Sequence, residues 1–212
     1  MDYVLYGERG SGSGIVEMLL AEAGITPRRI DVSLGDDEQI GESFRRINPM
    51  GRIPALVLPD GTLVTESLAI ALVIAERHPE AGLLPPPGSA ARAKALRLMT
   101  LLAAELYPAV TRFDYPERFV TDPAAAPGVA RRAQEESQRI WSIVESEAEA
   151  PFALGTFCAL DAQIAAMSRW RNNPHEWVDA HCPKVAAITR AVAARPKAGP
   201  VLRHHFGSRI SA

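Results

Sequence analysis

Cysteine is scarce in this chain: Cys158 and Cys182 are the only two among 212 residues, far apart and outside any CxxC spacing. A disulfide framework or a zinc site needs more thiols, closer together, so both are excluded, and the usage fits a reducing compartment. Aromatic residues make up only 6%, too few for a base-stacking surface. Neither sign of charge is in excess. Lys and Arg total 23 against 25 Asp and Glu, a formal net charge of −2. No strong field, and no long basic run, draws the chain to nucleic acid or to a membrane surface. No apolar run reaches the roughly 20 residues that a membrane-spanning helix requires. Met1-Asp2-Tyr3-Val4 lacks the basic and apolar regions of a signal peptide. The expectation is a soluble cytoplasmic protein with no metal and no nucleic-acid or membrane partner.

Hydrophobic residues supply 47% and charged residues 23%, the balance of an ordinary globular protein. The length suffices for one large core or two modest ones. Tyr3 to Tyr6 reads as a short strand ended by Gly7. The polar loop Gly10-Ser11-Gly12-Ser13-Gly14 follows, then Ile15, Met18, Leu19 and Ala23 at helical spacing, with Gly24 as the stop. Arg28 to Val32 is a second strand, and 36–47 is polar and weakly helical. Asn48-Pro49-Met50-Gly51 is a turn. Strands at 55–58 and 62–65 flank the hairpin turn Pro59-Asp60-Gly61, and a helix is expected over 66–77. The order is βαβαββα. Residues 79–88 are rich in proline and glycine and read as an interdomain linker. Everything beyond is helical in pattern: 90–115 with a kink at Pro108, 129–150 with Ile140, Trp141 and Val144 inward, a buried helix over 158–170, and a last clear helix over 182–194. The domains are therefore expected at 1–78 (α/β) and 89–212 (an all-helical bundle).

Three motifs carry chemistry. The glycine-serine loop places backbone N–H groups at a helix N-terminus, where an anion gains up to ~1–2 kcal/mol when partly buried. It matches neither a phosphate loop nor a dinucleotide fingerprint, and alone it reads as a flexible connector. Ile53-Pro54 precedes a strand, where proline is tolerated. A cis bond there turns the Ile53 N–H and C=O outward toward an extended ligand, whereas a trans bond is ordinary structure. In Thr65-Glu66-Ser67, Thr65 can cap a helix that starts at Glu66. Alternatively the Ser67 hydroxyl and N–H bind a carboxylate while Glu66 receives an ammonium, the two charged ends of an amino-acid head.

Together these strings resemble the glutathione transferases. Asn48-Pro49-Met50-Gly51-Arg52-Ile53-Pro54-Ala55-Leu56 is similar to that family's NPxGxVPxL signature, and Glu66-Ser67-Leu68-Ala69-Ile70 to its ES-x-A-I signature. Phe157-Cys158-Ala159-Leu160-Asp161 resembles its [ST]xxD capping box, with Cys158 in place of the Ser or Thr. Such a weaker acceptor costs ~1 kcal/mol of helix stability unless Thr156 compensates. The stretch from Trp170 to Pro183 and the pair Arg195-Pro196 resemble bacterial members. The resemblance implies a thioredoxin-like first domain, glutathione as co-substrate and a homodimer.

Carried over residue by residue, it implies that Glu66 and Ser67 hold the γ-glutamyl end, and that Ile53 pairs its backbone with the cysteinyl unit beside a cis Pro54. Arg52 falls near a ligand carboxylate, and Gln39 is a weaker candidate for the glycyl end. A thiol of pKa about 8.5 must be stabilised as thiolate. Gly12 stands where some members have cysteine, which argues against cysteine chemistry. Ser11 is the first candidate to stabilise the thiolate, Ser13 the second although helix capping explains it better, and Tyr6 the third. Tyr107, Arg112, Phe113 and Tyr115 are candidates to line a second-substrate site, each equally well explained by packing. The expected activity is detoxifying conjugation of glutathione to a hydrophobic electrophile, or peroxide reduction. The rivals are a non-catalytic binding module of the same fold and a glutathione-dependent isomerase or dehalogenase.

Overall fold

The computed structural model describes residues 2–170 and 175–210; residues 171–174, within the 170–183 stretch cited above, lie outside it. The chain forms two compact units. One runs to Leu83 and takes in Val192–Ser208; the other spans Leu84–Ala191 and continues from Arg209.

The first unit is built on a four-stranded sheet of β1 (Val4–Gly7), β2 (Arg28–Asp31), β3 (Ala55–Val57) and β4 (Leu63–Thr65), in the order β2-β1-β3-β4. β2 lies parallel to β1, β3 antiparallel to β1, and β4 antiparallel to β3. The crossover from β1 to β2 is α1 (Ser13–Glu22), and the short α2 (Glu42–Arg45) and α3 (Ser67–Arg77) complete the βαβαββα order. Alternation along the strands sorts the side chains. Leu5 and Leu56 are fully buried on one face, whereas Tyr6 packs on the other with Val32, Phe44, Ile53 and Ala55. α1 buries Ile15, Met18 and Leu19, the stripe that the helical spacing predicts.

A further helix, α10 (Ala198–Phe206), packs along α1. It lies beyond 182–194, the last helix that the spacing marks clearly, and Gly199 and Pro200 fall in it. Both sit in its first turn, where the missing proline N–H would have no intrahelical partner anyway. The junction is tied by Glu22, which is buried at 8% exposure. The Arg195 guanidinium donates to both Glu22 carboxylate oxygens at 2.8 Å, and the Ala198 N–H donates to one of them at 3.1 Å. Burial raises the carboxyl pKa, but the Arg195 hydrogen bond and charge, the Ala198 N–H and Lys197 outweigh it and hold it below the ordinary value. A carboxyl depressed on folding adds stability above its unfolded pKa and loses it as pH falls through the folded one. Glu22→Gln should therefore be less stable than wild type at neutral pH, with a gap that narrows in acid. Urea titrations at a series of pH values read this directly, and a gap that is constant with pH contradicts it.

The second unit is helical. α4 (Ala90–Leu101) passes through a wide π turn over Leu102–Leu106 into α5 (Tyr107–Asp114). The expected single helix with a kink at Pro108 is thus relieved one turn earlier, since proline cannot donate to the carbonyl four residues before it and its ring crowds that carbonyl. α6 (Ala126–Glu147) buries Ile140, Trp141 and Val144, as its spacing predicts. α7 (Ala159–Met167) is buried along its whole length. α8 (His175–His181) and α9 (Pro183–Ala194) follow, and the last residues of α9, from Val192, group with the first unit. Among the described residues no helix is long and apolar enough to cross a membrane.

Candidate functional site

The strand register collects the three motifs. Ala55 is paired with both Tyr6 and Thr65. The C-terminal end of β1, the start of β3 and the end of β4 therefore meet at one end of the first unit's sheet. The glycine-serine loop, Ile53-Pro54 and Glu66-Ser67, spread over more than 50 positions, all adjoin the strands at that end.

The Ile53–Pro54 bond is cis. The turn before it is organised by Asn48, which is buried at 2% exposure. Its Nδ2 donates to the Arg52 carbonyl at 2.6 Å, and its Oδ1 accepts from the Met50 N–H at 3.1 Å. Gly51 has φ +61°, a left-handed conformation that side chains disfavour. Ile53 and Pro54 are buried, Arg52 is exposed, and Gln39 is 5% exposed with its Nε2 donating to Asp37 at 3.2 Å.

Thr65 is not the cap of α3. That helix begins at Ser67, and Glu66 occupies the N-cap position with φ +67° and no side-chain capping bond. Such a backbone costs of order 1–3 kcal/mol for a residue with a side chain. Strain of this kind is stored where position matters more than stability. It leaves the Glu66 carboxylate exposed beside Ser67, which is 8% exposed at the first residue of the helix.

Ser13 is not the N-cap of α1 either. Gly12 takes that position and Ser13 is the first helical residue. The Ser13 hydroxyl donates to the Glu8 carbonyl at 3.0 Å, and the Ser11 hydroxyl reaches the same carbonyl at 2.8 Å. The two hydroxyls are 3.1 Å apart, and Ser11 Oγ also accepts from the Ser13 N–H at 3.2 Å. Two protons thus share one strong acceptor. Ser13 is fully buried, whereas Ser11 is half-buried. Tyr6 is half-buried, with its ring edge-on to Phe44 at 5.9 Å.

The four remaining candidates lie in the second unit, on α5 and just beyond it. Tyr107 meets the Trp170 ring at 4.8 Å, and Tyr115 carries the Arg118 guanidinium over its face at 3.9 Å. Arg112 lines an open basin of about 530 Å³ with Val129, Arg131, Arg132 and Glu136, and Phe113 is half-buried.

Neither protein thiol is poised to react. Burial, then the nearby Asp161 charge, pushes Cys158 up to about 12; burial, then Glu145, pushes Cys182 up to about 11. Such thiols stay protonated and inert at neutral pH. Among the described residues no group of three or more His, Cys, Asp and Glu could hold a metal ion. Sequence reasoning passed over one residue, His205, whose imidazole lies against the glycine-serine loop from 195 positions away. A histidine beyond the last clearly patterned helix, at 182–194, gives no local signal of that contact.

Residues 13–77, which take in the cis proline and the Glu66-Ser67 step and begin at Ser13, after most of the glycine-serine loop, match the glutathione S-transferase N-terminal domain. The chain is 35% identical over 206 residues to the uncharacterized GST-like protein YncG of Escherichia coli, covering 95% of this chain and 97% of that one. A glutathione transferase homolog from Sulfitobacter, solved with bound glutathione, superposes with a TM-score of 0.85 at 25% identity, over 97% of this chain and 99% of that one. The maleylacetoacetate isomerase of Dictyostelium discoideum is 37% identical over 71 residues, 34% of this chain and 32% of its own. The thioredoxin-like first unit, the helical second unit and a likeness that runs nearly end to end make this chain a member of the glutathione transferase family.

Proposed function

We propose that the protein binds glutathione at that end of its first unit's sheet and conjugates the thiolate to a hydrophobic electrophile. The observation that carries this reading is the convergence there of the cis Ile53–Pro54 bond, the strained Glu66 and the buried Ser67. In it, Glu66 receives the γ-glutamyl ammonium, and the Ser67 hydroxyl and N–H take its carboxylate. The Ile53 backbone pairs with the cysteinyl unit, and Arg52 and Gln39 serve the remaining carboxylate. Ser11 donates to the sulfur, because Ser13 can keep the Glu8 carbonyl occupied while the Ser11 proton turns to the ligand. Tyr107, Arg112, Phe113 and Tyr115 are assigned to the electrophile.

The test is conjugation of glutathione to chlorodinitrobenzene, joined to an ultraviolet titration of the bound thiolate. Ser11→Ala should raise the thiol pKa and slow conjugation by roughly ten- to a thousandfold. An unshifted Ser11→Ala beside a shifted Ser13→Ala or Tyr6→Phe reassigns the donor. Three unshifted curves assign the role to backbone N–H groups. Binding without conjugation supports a non-catalytic module instead.

A second reading, a glutathione-dependent isomerase, draws on the likeness to maleylacetoacetate isomerase; turnover of a cis-enedione without net consumption of glutathione would support it. We also infer a homodimer. Met50, Leu63 and Ile40 stand 62%, 40% and 39% exposed on the first unit, apolar surface that a second copy would cover. Light scattering should give the mass of two chains.

A further inference from the structure

We propose that His205 is a positioning residue that holds the glycine-serine loop in the geometry needed to stabilise a thiolate. The inference rests on the reading of that loop as the cradle of the glutathione sulfur.

The imidazole comes from the end of α10, and its side chain is 0% exposed. The Gly10 N–H donates to Nδ1 at 3.0 Å. An Nδ1 that accepts carries no proton, so the neutral ring bears its proton on Nε2. Nε2 lies 3.1 Å from Glu17 Oε1 on α1, close but not aligned as a hydrogen bond. The other Glu17 oxygen lies 3.7 Å from Arg29 on β2. Gly14, in the first turn of α1, is the floor under the ring: a Cβ there would stand 2.9 Å from Nδ1. One residue earlier along α10, the His204 carbonyl accepts from Arg9 Nε at 2.7 Å.

The loop from Arg9 to Gly14 is therefore gripped on both sides of Ser11. Its own sequence cannot supply this. Three glycines in five residues leave the backbone many conformations, and fixing each residue costs conformational entropy. Serine hydroxyls and backbone N–H groups stabilise a developing charge only if they are aimed before it arrives. A buried ring that accepts from Gly10 and rests on Gly14 supplies that aim from a distant part of the chain, without touching the ligand.

Leucine and asparagine are nearly isosteric, and only asparagine offers an acceptor near the Nδ1 position, so full-length His205→Leu and His205→Asn separate the hydrogen bond from packing. For His205→Leu, the bound glutathione thiol should titrate about one unit higher, a tenfold loss of thiolate at fixed pH, with the calorimetric Kd changed less than about threefold. His205→Asn should restore most of the shift. An unshifted thiol in His205→Leu, or equal shifts in both variants, overturns the proposal. If the wild type binds no glutathione at all, the functional reading fails on its own, and amide hydrogen exchange at Gly10 and Ser11 decides the clamp instead. Exchange should quicken in His205→Leu and stay slow in His205→Asn. Unchanged exchange in His205→Leu, or equal quickening in both, overturns it.

Discussion

Ser67→Ala is expected to bind glutathione at least about tenfold more weakly than wild type. Ser67 stands at the first residue of α3, where backbone N–H groups have no intrahelical acceptor and the helix end carries partial positive charge. A carboxylate seated there accepts from both the N–H and the hydroxyl. Removing the hydroxyl leaves a partly desolvated anion short of one donor, at a cost of ~1–3 kcal/mol. Glu66→Gln should lose a similar amount by removing the charge that meets the ammonium. Glu66→Gly makes a sharper test because its two effects oppose. It relieves the backbone strain at φ +67°, so stability should hold or rise, while affinity falls as it does for glutamine. Calorimetry and thermal melts on the same samples read both. Unchanged affinity in Ser67→Ala and Glu66→Gln together means that glutathione is held elsewhere.

Asp161→Ala is expected to destabilise the second unit by ~3–5 kcal/mol. The carboxylate is fully buried and accepts from the backbone N–H groups of Cys158 and Ala153, each at 2.7 Å. These are short, charge-assisted bonds. Alanine leaves two buried donors without their acceptor, at ~1–3 kcal/mol each, and opens a small void. Asp161→Asn keeps the shape and one good acceptor oxygen, so it should fall between. Cys158 stands at the N-cap position of α7 and both halves of the capping box form there: its sulfur accepts from the Asp161 N–H, and the Cys158 N–H donates to the Asp161 carboxylate. Urea unfolding followed by tryptophan fluorescence reports on Trp141, Trp170 and Trp177, all three of the chain's tryptophans and all in this unit. A loss under about 1 kcal/mol for Asp161→Ala would show that other groups or water satisfy those N–H groups.

Much of this was legible because it is local. Period-two and helical spacing place β1 to β4 and α1, and a hairpin turn joins β3 to β4. Asn48 to Leu56 and Glu66 to Ile70 were legible as strings, since a ligand that pairs with backbone constrains consecutive residues. What stayed hidden depends on single dihedrals or on distant partners. Whether Thr65 or Glu66 caps α3 turns on one φ angle. Whether Ser13 caps α1 turns on the Glu8 carbonyl behind it. The π turn over Leu102–Leu106 was foreshadowed only as a kink at Pro108. α10 was missed because Gly199 and Pro200 look like breakers until they are placed in a first turn. Its partners, Glu22 and Gly14, lie almost the whole chain away.

That last helix changes what counts as a transferable piece. The stretch that matches the family's N-terminal domain, residues 13–77, is shorter than the physical unit it belongs to, which also takes in Val192–Ser208. A chimera that exchanges only the first 83 residues with a relative would pair its own Gly14 and Glu22 with a foreign tail. His205 and Arg195 would then face whatever the relative carries at those sites. Recombination of such proteins should therefore succeed when the beginning and end of the chain travel together.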